Sequence, residues 1–207
     1  MRPPCLIGIG GPSGSGKSTL AARLGAALPG GGVIFSLDSY YRPLDHLTAS
    51  ERAHTNFDHP DALDWDLFLA QLSALRNGEP VEEPIYRFDL HTRDPQTRSI
   101  RPGYFVIVEG ILALHREAVR AVFDLKIYIE TADQECYRRR LERDTRDRGR
   151  TGESVAEQYK ATVRPMAESF VWPTRRFADL LLSGERGCHE PVSEALDFLG
   201  LEKTPAA

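Results

Sequence analysis

Gly11-Pro12-Ser13-Gly14-Ser15-Gly16-Lys17-Ser18 matches the phosphate-loop pattern G-x-x-x-x-G-K-[ST] at every fixed position. Before it, Leu6-Ile7-Gly8-Ile9 is a short apolar run ending at Gly10. After it, Thr19-Leu20-Ala21-Ala22-Arg23-Leu24 are helix formers with apolar spacing. Strand, loop and helix in that order are the context the pattern needs. Gly11, Gly14 and Gly16 let the backbone curl into a concave nest of inward N–H groups, and the following helix adds its positive end. Ser13, Ser15 and Thr19 complete the stretch expected around a nucleotide's phosphates. Lys17 can reach the β- and γ-phosphates, and the Ser18 hydroxyl can bind Mg²⁺. The competing reading is a Gly-rich turn with a chance Gly-Lys-Ser.

Outward from the loop, short apolar runs recur between helical stretches. The runs are Leu6–Ile9, Val33–Leu37, Tyr104–Val108, Leu125–Ile129 and Leu180–Leu182. The helical stretches are Ser18–Ala27, Trp65–Leu75 and Asp133–Asp147, with more helix between Ser154 and Phe170 and from Val192. Apolar strands alternating with helices predict an α/β fold, a parallel sheet sandwiched by helices. Pro80–Pro102 breaks the rhythm. It is rich in Pro, Arg and Asp, with strand-like pieces at Ile85–Phe88 and Thr97–Ile100, and it reads as a projecting β-hairpin or else a surface loop.

The 207 residues have room for one α/β domain, read here as 1–207 with a hairpin at about 80–102 and a lid at about 133–165. Apolar residues are 41% and charged residues 27%, ordinary for a globular chain, and the net charge of −4 gives no general bias toward nucleic acid or membrane. Cys5, Cys136 and Cys188 are far apart and without metal spacing, and Cys5 reads as strand packing. No stretch is apolar enough to span a membrane, no signal peptide is expected before the first strand, and a reducing cytoplasm fits.

Chemistry-bearing residues fall where strands end. Asp38 closes the second apolar run and Glu109 the third. In open parallel sheets ligands bind at the carboxyl ends of strands, so both carboxylates are expected beside the phosphate loop. Asp38 can accept a proton from a substrate hydroxyl, lie in the Mg²⁺ shell, or cap a turn. Glu109 can hold the metal directly or through water. In Asn56-Phe57-Asp58-His59-Pro60-Asp61, Asp58 suits a polyol such as ribose, whereas Asp61 or Asp64 can cap the next helix. Tyr86 and Phe88 sit two apart on one strand face, with His91 and Arg93 following. They suit a flat heteroaromatic ring, or else pack the hairpin onto the body. Arginines crowd into Arg138–Arg150 among acids. Arg139 and Arg143 stand four apart, as do Arg146 and Arg150, and Asp144 can pair with Arg148. Gly149 and Gly152 suggest a joint. The alternatives for the run are a solvated helix face and a mobile, phosphate-facing lid.

GGPSGSGKST, SLDSYY, NFDHPDALD, EPIYRFDLHTR, VIVEGIL, RRRLERDTRDRGR, EQY and WPTRRFADL occur in that order from residue 10 to about residue 180. With these segments the chain resembles the uridine–cytidine kinase family, among the phosphate-loop kinases that include phosphoribulokinase and pantothenate kinase. The resemblance implies transfer of the γ-phosphate of ATP or GTP to the 5′-hydroxyl of uridine or cytidine, with Mg²⁺. It implies Asp38 as the base, and Ser18, Asp38 and Glu109 around the metal. Asp58 and Arg140 would hold the ribose hydroxyls. Tyr86, Phe88 and His91 would hold the pyrimidine, with Tyr41 and Phe57 nearby. Arg150 and Gln158 would close the nucleoside site, and Arg143 and Arg148 match lid arginines that face the triphosphate.

Both nucleosides are expected as substrates, because an imidazole at His91 meets either O4 of uracil or N4 of cytosine. Cys136-Tyr137 departs from the Arg-Leu common in the family, and Arg87 and Asp89-Leu90 vary within the hairpin motif. The family often forms homotetramers, and the same is expected here. No nucleic-acid or membrane partner is expected. The alternatives are a related kinase acting on pantothenate, nicotinamide riboside or ribulose phosphate, and a non-catalytic nucleotide-binding module.

Overall fold

The computed structural model describes residues 3–53, 55–185 and 189–201, so the reading of Cys188 lies outside the described residues. β1 (Cys5–Gly10) leads through the phosphate loop into α1 (Lys17–Ala27), and β2 (Gly32–Ser36) follows. α2 (Ala49–Ala53) and α3 (Trp65–Arg76) precede a hairpin of β3 (Val81–Arg87) and β4 (Thr92–Ile100). Next come β5 (Phe105–Glu109), α4 (Glu117–Arg120), β6 (Leu125–Glu130) and α5 (Asp133–Asp147). α6 (Gly152–Gln158) and α7 (Arg164–Met166) belong to one winding run that ends at Phe177. β7 (Leu180–Ser183) and α8 (His189–Phe198) complete the described chain.

Five of the strands form a parallel sheet in the order β2-β5-β1-β6-β7, the helix-sandwiched α/β architecture expected from the alternation of runs. Side chains alternate across it. Leu6, Val106 and Val108 join Phe35, Phe68 and Leu72 in one core cluster. Ile7, Ile9 and Ile107 join Leu24, Ala195 and Leu196 in the other. Both layers are apolar because both sheet faces are covered, each fully buried Leu or Ile contributing roughly 1.5–3 kcal/mol.

Several boundaries differ from the sequence reading. β5 runs from Phe105 to Glu109, leaving Tyr104 outside and exposed. β2 stops at Ser36, because Leu37–Tyr40 winds into a 3₁₀ turn held by the buried side chains of Leu37 and Tyr40. The hairpin strands are longer than the pieces read from sequence, and Phe88 falls in the turn rather than on β3. α8 begins at His189, ahead of Val192. The run after α6 is not uniform helix. π turns at Tyr159–Val163 and Ala167–Val171 flank Pro165, which lacks the N–H that a regular ladder needs.

The β3–β4 hairpin forms its own two-stranded sheet. Buried Glu83 accepts from the backbone N–H of Ser36 at 3.1 Å and pairs with Arg98. Arg93 donates to the carbonyls of Tyr41 and Tyr40 at 2.8 and 3.1 Å and pairs with Asp64. Asp64 also caps α3 by accepting from Leu67 N–H. Among the described residues no helix is long and apolar enough to cross a membrane.

Candidate active site

β2, β5 and β1 are neighbours, so their carboxyl ends deliver three groups side by side: Asp38 just after β2, Glu109 closing β5, and the phosphate loop after β1. Gly110 follows Glu109 where a Cβ would come 2.7 Å from Leu37, so its missing side chain lets the two strand ends close up. The phosphate loop rests on the first turn of α5. At Gly14, φ is +84° and a Cβ would lie 2.4 Å from the Cys136 carbonyl oxygen, so only glycine fits there. Lys17 is buried, and its Nζ donates to the Pro12 carbonyl at 2.8 Å. Burial lowers its pKa, opposed by the charges of Glu109 and Asp38.

A cavity of about 420 Å³ opens over the loop, walled by Lys17, Ser18, Thr19, Arg139, Ser183 and Pro191 among others. On its inner side, the Ser18 hydroxyl donates to Glu109 Oε2 and the Ser36 hydroxyl to Glu109 Oε1, each at 3.1 Å. Asp38 has its carboxyl pushed up to about 6, first by burial and then by the negative charge of Glu109. Two carboxylates that repel each other beside a serine hydroxyl fit Mg²⁺. That ion characteristically takes one or two carboxylates plus substrate phosphates rather than an all-protein cage. No cluster of three or more His, Cys, Asp or Glu side chains suited to a metal occurs among the described residues.

A second cavity of about 340 Å³ lies between the hairpin and the lid, lined by Tyr41, Phe57, Asp58, Tyr86, Phe88 and His91 together with lid arginines. The aromatic rings interlock. Tyr41 and Tyr86 have centroids 5.2 Å apart, Tyr86 and Phe88 also 5.2 Å, and His91 stacks on Phe57 at 5.0 Å and 15°. His91 holds a positive φ of 51°, a strained setting that presents its ring at the hairpin turn. Burial, followed by the charges of Arg150 and Arg148, lowers its pKa, so the ring is neutral at pH 7. The Tyr86 hydroxyl is buried without a hydrogen-bond partner. Asp58 is buried 4.0 Å from Arg140, and burial raises its pKa.

The arginines close the space from α5 and the turn that follows it. Arg140 donates to Ser13 Oγ at 3.0 Å and to Gln158 Oε1 at 3.1 Å. Arg150 also donates to Gln158, and to Ser154. Arg143 lines both cavities. Arg148 lines the hairpin-side one, with its guanidinium carbon 4.7 Å from the centre of the Phe88 ring and its charge acting on Asp38. The two cavities share Ser13, Asp38, Ile111 and Arg143.

Sequence reasoning had no signal for Ser36 or Ser154, and it passed over Ile111 although that residue lies in the segment VIVEGIL. It met Asp144 only as a partner of Arg148, although the side chain is completely buried among arginines. Arg93 goes to the hairpin anchor and not to the cavity. Cys136 is buried under the loop with its thiol pushed up to about 11, mainly by burial, so it packs and does not react.

The model of the phosphoribulokinase / uridine kinase family matches residues 6–187. A uridine kinase of Staphylococcus epidermidis is 46% identical over 183 residues, 88% of each chain. One from Deinococcus deserti is 43% identical over 197 residues, covering 95% of this chain and 93% of its own. Among solved structures, phosphoribulokinase from Rhodobacter spheroides superposes with a TM-score of 0.60 at 15% identity, over 88% of this chain and 71% of that one, which speaks for the fold.

Proposed function

We propose for this chain, which belongs to the phosphoribulokinase / uridine kinase family, transfer of the γ-phosphate of ATP or GTP to the 5′-hydroxyl of uridine or cytidine, giving UMP or CMP. The observation that carries this is the shared wall of the two cavities. Asp38 and Arg143 border both the phosphate-loop cavity and the aromatic one, so a donor and an acceptor meet at Asp38. A catalyst of hydrolysis has no use for the second cavity.

The chemistry follows from the placement. As the acceptor oxygen bonds to phosphorus and the bond to the leaving diphosphate breaks, the hydroxyl proton passes to the Asp38 carboxylate, whose pKa near 6 leaves it ionised yet basic at neutral pH. Lys17, once released from Pro12, and Arg143 neutralise the transferring phosphoryl. Mg²⁺ held at Ser18, Asp38 and Glu109 would supply further neutralisation of the β- and γ-oxygens. Asp58 and Arg140 would hold the ribose hydroxyls. Tyr41, Phe57, Tyr86, Phe88 and His91, which line one cavity, would hold the pyrimidine, and the unpartnered Tyr86 hydroxyl suits its polar edge.

A coupled phosphorylation assay over uridine, cytidine, adenosine, pantothenate, nicotinamide riboside and ribulose 5-phosphate tests the reading. Turnover of both pyrimidine nucleosides is the expected result. Turnover confined to a non-aromatic alcohol would overturn it.

A further inference from the structure

Asp144 lies behind the reaction centre and lines neither cavity. Its side chain is completely buried, yet four arginines converge on it. Oδ1 accepts from Arg143 Nε at 2.9 Å and lies 2.8 Å from the second terminal nitrogen of Arg143, and Arg148 is 3.7 Å away. Oδ2 has no hydrogen bond but sits 3.5 Å from Arg140 and 3.9 Å from Arg150. The two oxygens therefore face different tasks. Arg143, on Oδ1, reaches both cavities. Arg140 and Arg150, on Oδ2, are tied to Gln158, and Arg140 also to Ser13 in the phosphate loop and to Asp58.

Resting on the nucleoside-kinase reading, we infer that Asp144 is a positioning residue that couples the two substrate sites, holding Arg143 by one carboxylate oxygen and Arg140 and Arg150 by the other. The physical basis is crowding. Four guanidiniums in one half-buried space repel each other, and a single buried carboxylate sets where each one rests. Arg143 gives Asp144 one edge of its fork, which fixes the opposite terminal nitrogen toward the cavity. Acceptor binding that pulls on Arg140 shifts the carboxylate they share and so re-aims Arg143. Coupling of this kind is reciprocal, so the donor must tighten the acceptor by the same factor.

The test measures the Kd of uridine by calorimetry with and without a non-hydrolysable ATP analogue and Mg²⁺, for wild type, Asp144→Asn and Asp147→Asn. Asp147 pairs with Arg146 at the exposed end of the same helix and serves as the control. The expectation is a cooperativity factor of about 5-fold or more in wild type and Asp147→Asn, falling below about 2-fold in Asp144→Asn. The kcat effect of Asp144→Asn should also vanish in an Arg143→Gln background, since Asp144 acts through that arginine. A residue that merely stabilises the fold would lower Tm and leave the cooperativity factor and the additivity intact, and that result overturns the inference. If Asp144→Asn does not fold, Arg143→Lys, which removes the two-donor edge and keeps the charge, must abolish the cooperativity in its stead. Failure of wild type to phosphorylate uridine would strike the functional reading. Normal turnover with cooperativity preserved in the variant strikes only the role of Asp144.

Discussion

The Arg148 guanidinium carbon lies 4.7 Å from the centre of the Phe88 ring, joining the lid to the hairpin across the mouth of the acceptor cavity. A half-exposed cation over an aromatic face is worth roughly 0.5–2 kcal/mol. Phe88→Ala is therefore expected to raise the uridine KM by about 3–30-fold with a smaller change in kcat. Steady-state kinetics at saturating donor check it, and an unchanged KM would show the contact to be incidental.

Asp38→Asn should lower turnover by about 10²–10⁴ while nucleotide still binds, because the amide cannot take the hydroxyl proton. The same variant should be more stable than wild type at pH 8. Asp38 is raised from the usual carboxylate range to about 6. Between about pH 4 and 6 the folded chain thus holds a proton that the unfolded chain has released. The associated stability is present below that window and lost as pH rises through about 6, and asparagine has no such loss. Thermal melts of both proteins at pH 5 and pH 8 measure it. A gap that does not widen in favour of the variant at pH 8 speaks against the buried, mutually repelling carboxylates.

The pH profile of kcat/KM should fall on the acid side as the Asp38 carboxylate, raised by burial and by the charge of Glu109, takes up a proton. His91 is lowered from its usual value by burial and by the charges of Arg150 and Arg148. A profile flat down to pH 5 would remove Asp38 from the proton transfer.

Gly14→Ala forces a Cβ to within 2.4 Å of the Cys136 carbonyl in a backbone region that L-residues avoid. Strain of this kind costs about 1–3 kcal/mol. The expected outcome is a donor Kd weakened tenfold or more together with a lower Tm, read by nucleotide titration and differential scanning calorimetry.

Tyr86→Phe removes a buried hydroxyl that has no partner. An orphaned polar group costs about 1–3 kcal/mol, so stability should hold or rise while the uridine KM increases. A loss of stability would mean that the hydroxyl is satisfied within the protein.

Much of this architecture was readable because apolar runs fix where strands end, and strand ends fix where Asp38 and Glu109 stand. Asp58, Tyr86 and His91 were readable through motif resemblance, since a carboxylate or an aromatic pair alone has ordinary packing explanations. Arg93 was not readable. Its role depends on meeting the carbonyls of Tyr40 and Tyr41 from more than fifty residues away, a tertiary contact with no local trace. The π turns around Pro165 escaped for a similar reason: helix periodicity records which face is apolar, and a widened turn alters that phase only slightly. Nothing in the arginine run distinguished the completely buried Asp144 from its exposed neighbour Asp147, because burial was decided by Arg140, Arg143, Arg148 and Arg150 folding over one of the two.

The hairpin shares no hydrogen-bonded ladder with the five-stranded sheet; side chains fasten it, among them Glu83, Arg93 and Thr92 at its polar contacts and Val81, Tyr86 and Ile100 in the core. A strand woven into the main sheet cannot be lengthened, re-tilted or exchanged without disturbing the register of its neighbours. The β3–β4 hairpin carries no such debt. On the proposed reading, acceptor choice in this scaffold is modular: a different loop on the same anchors would present a different alcohol to an untouched Asp38.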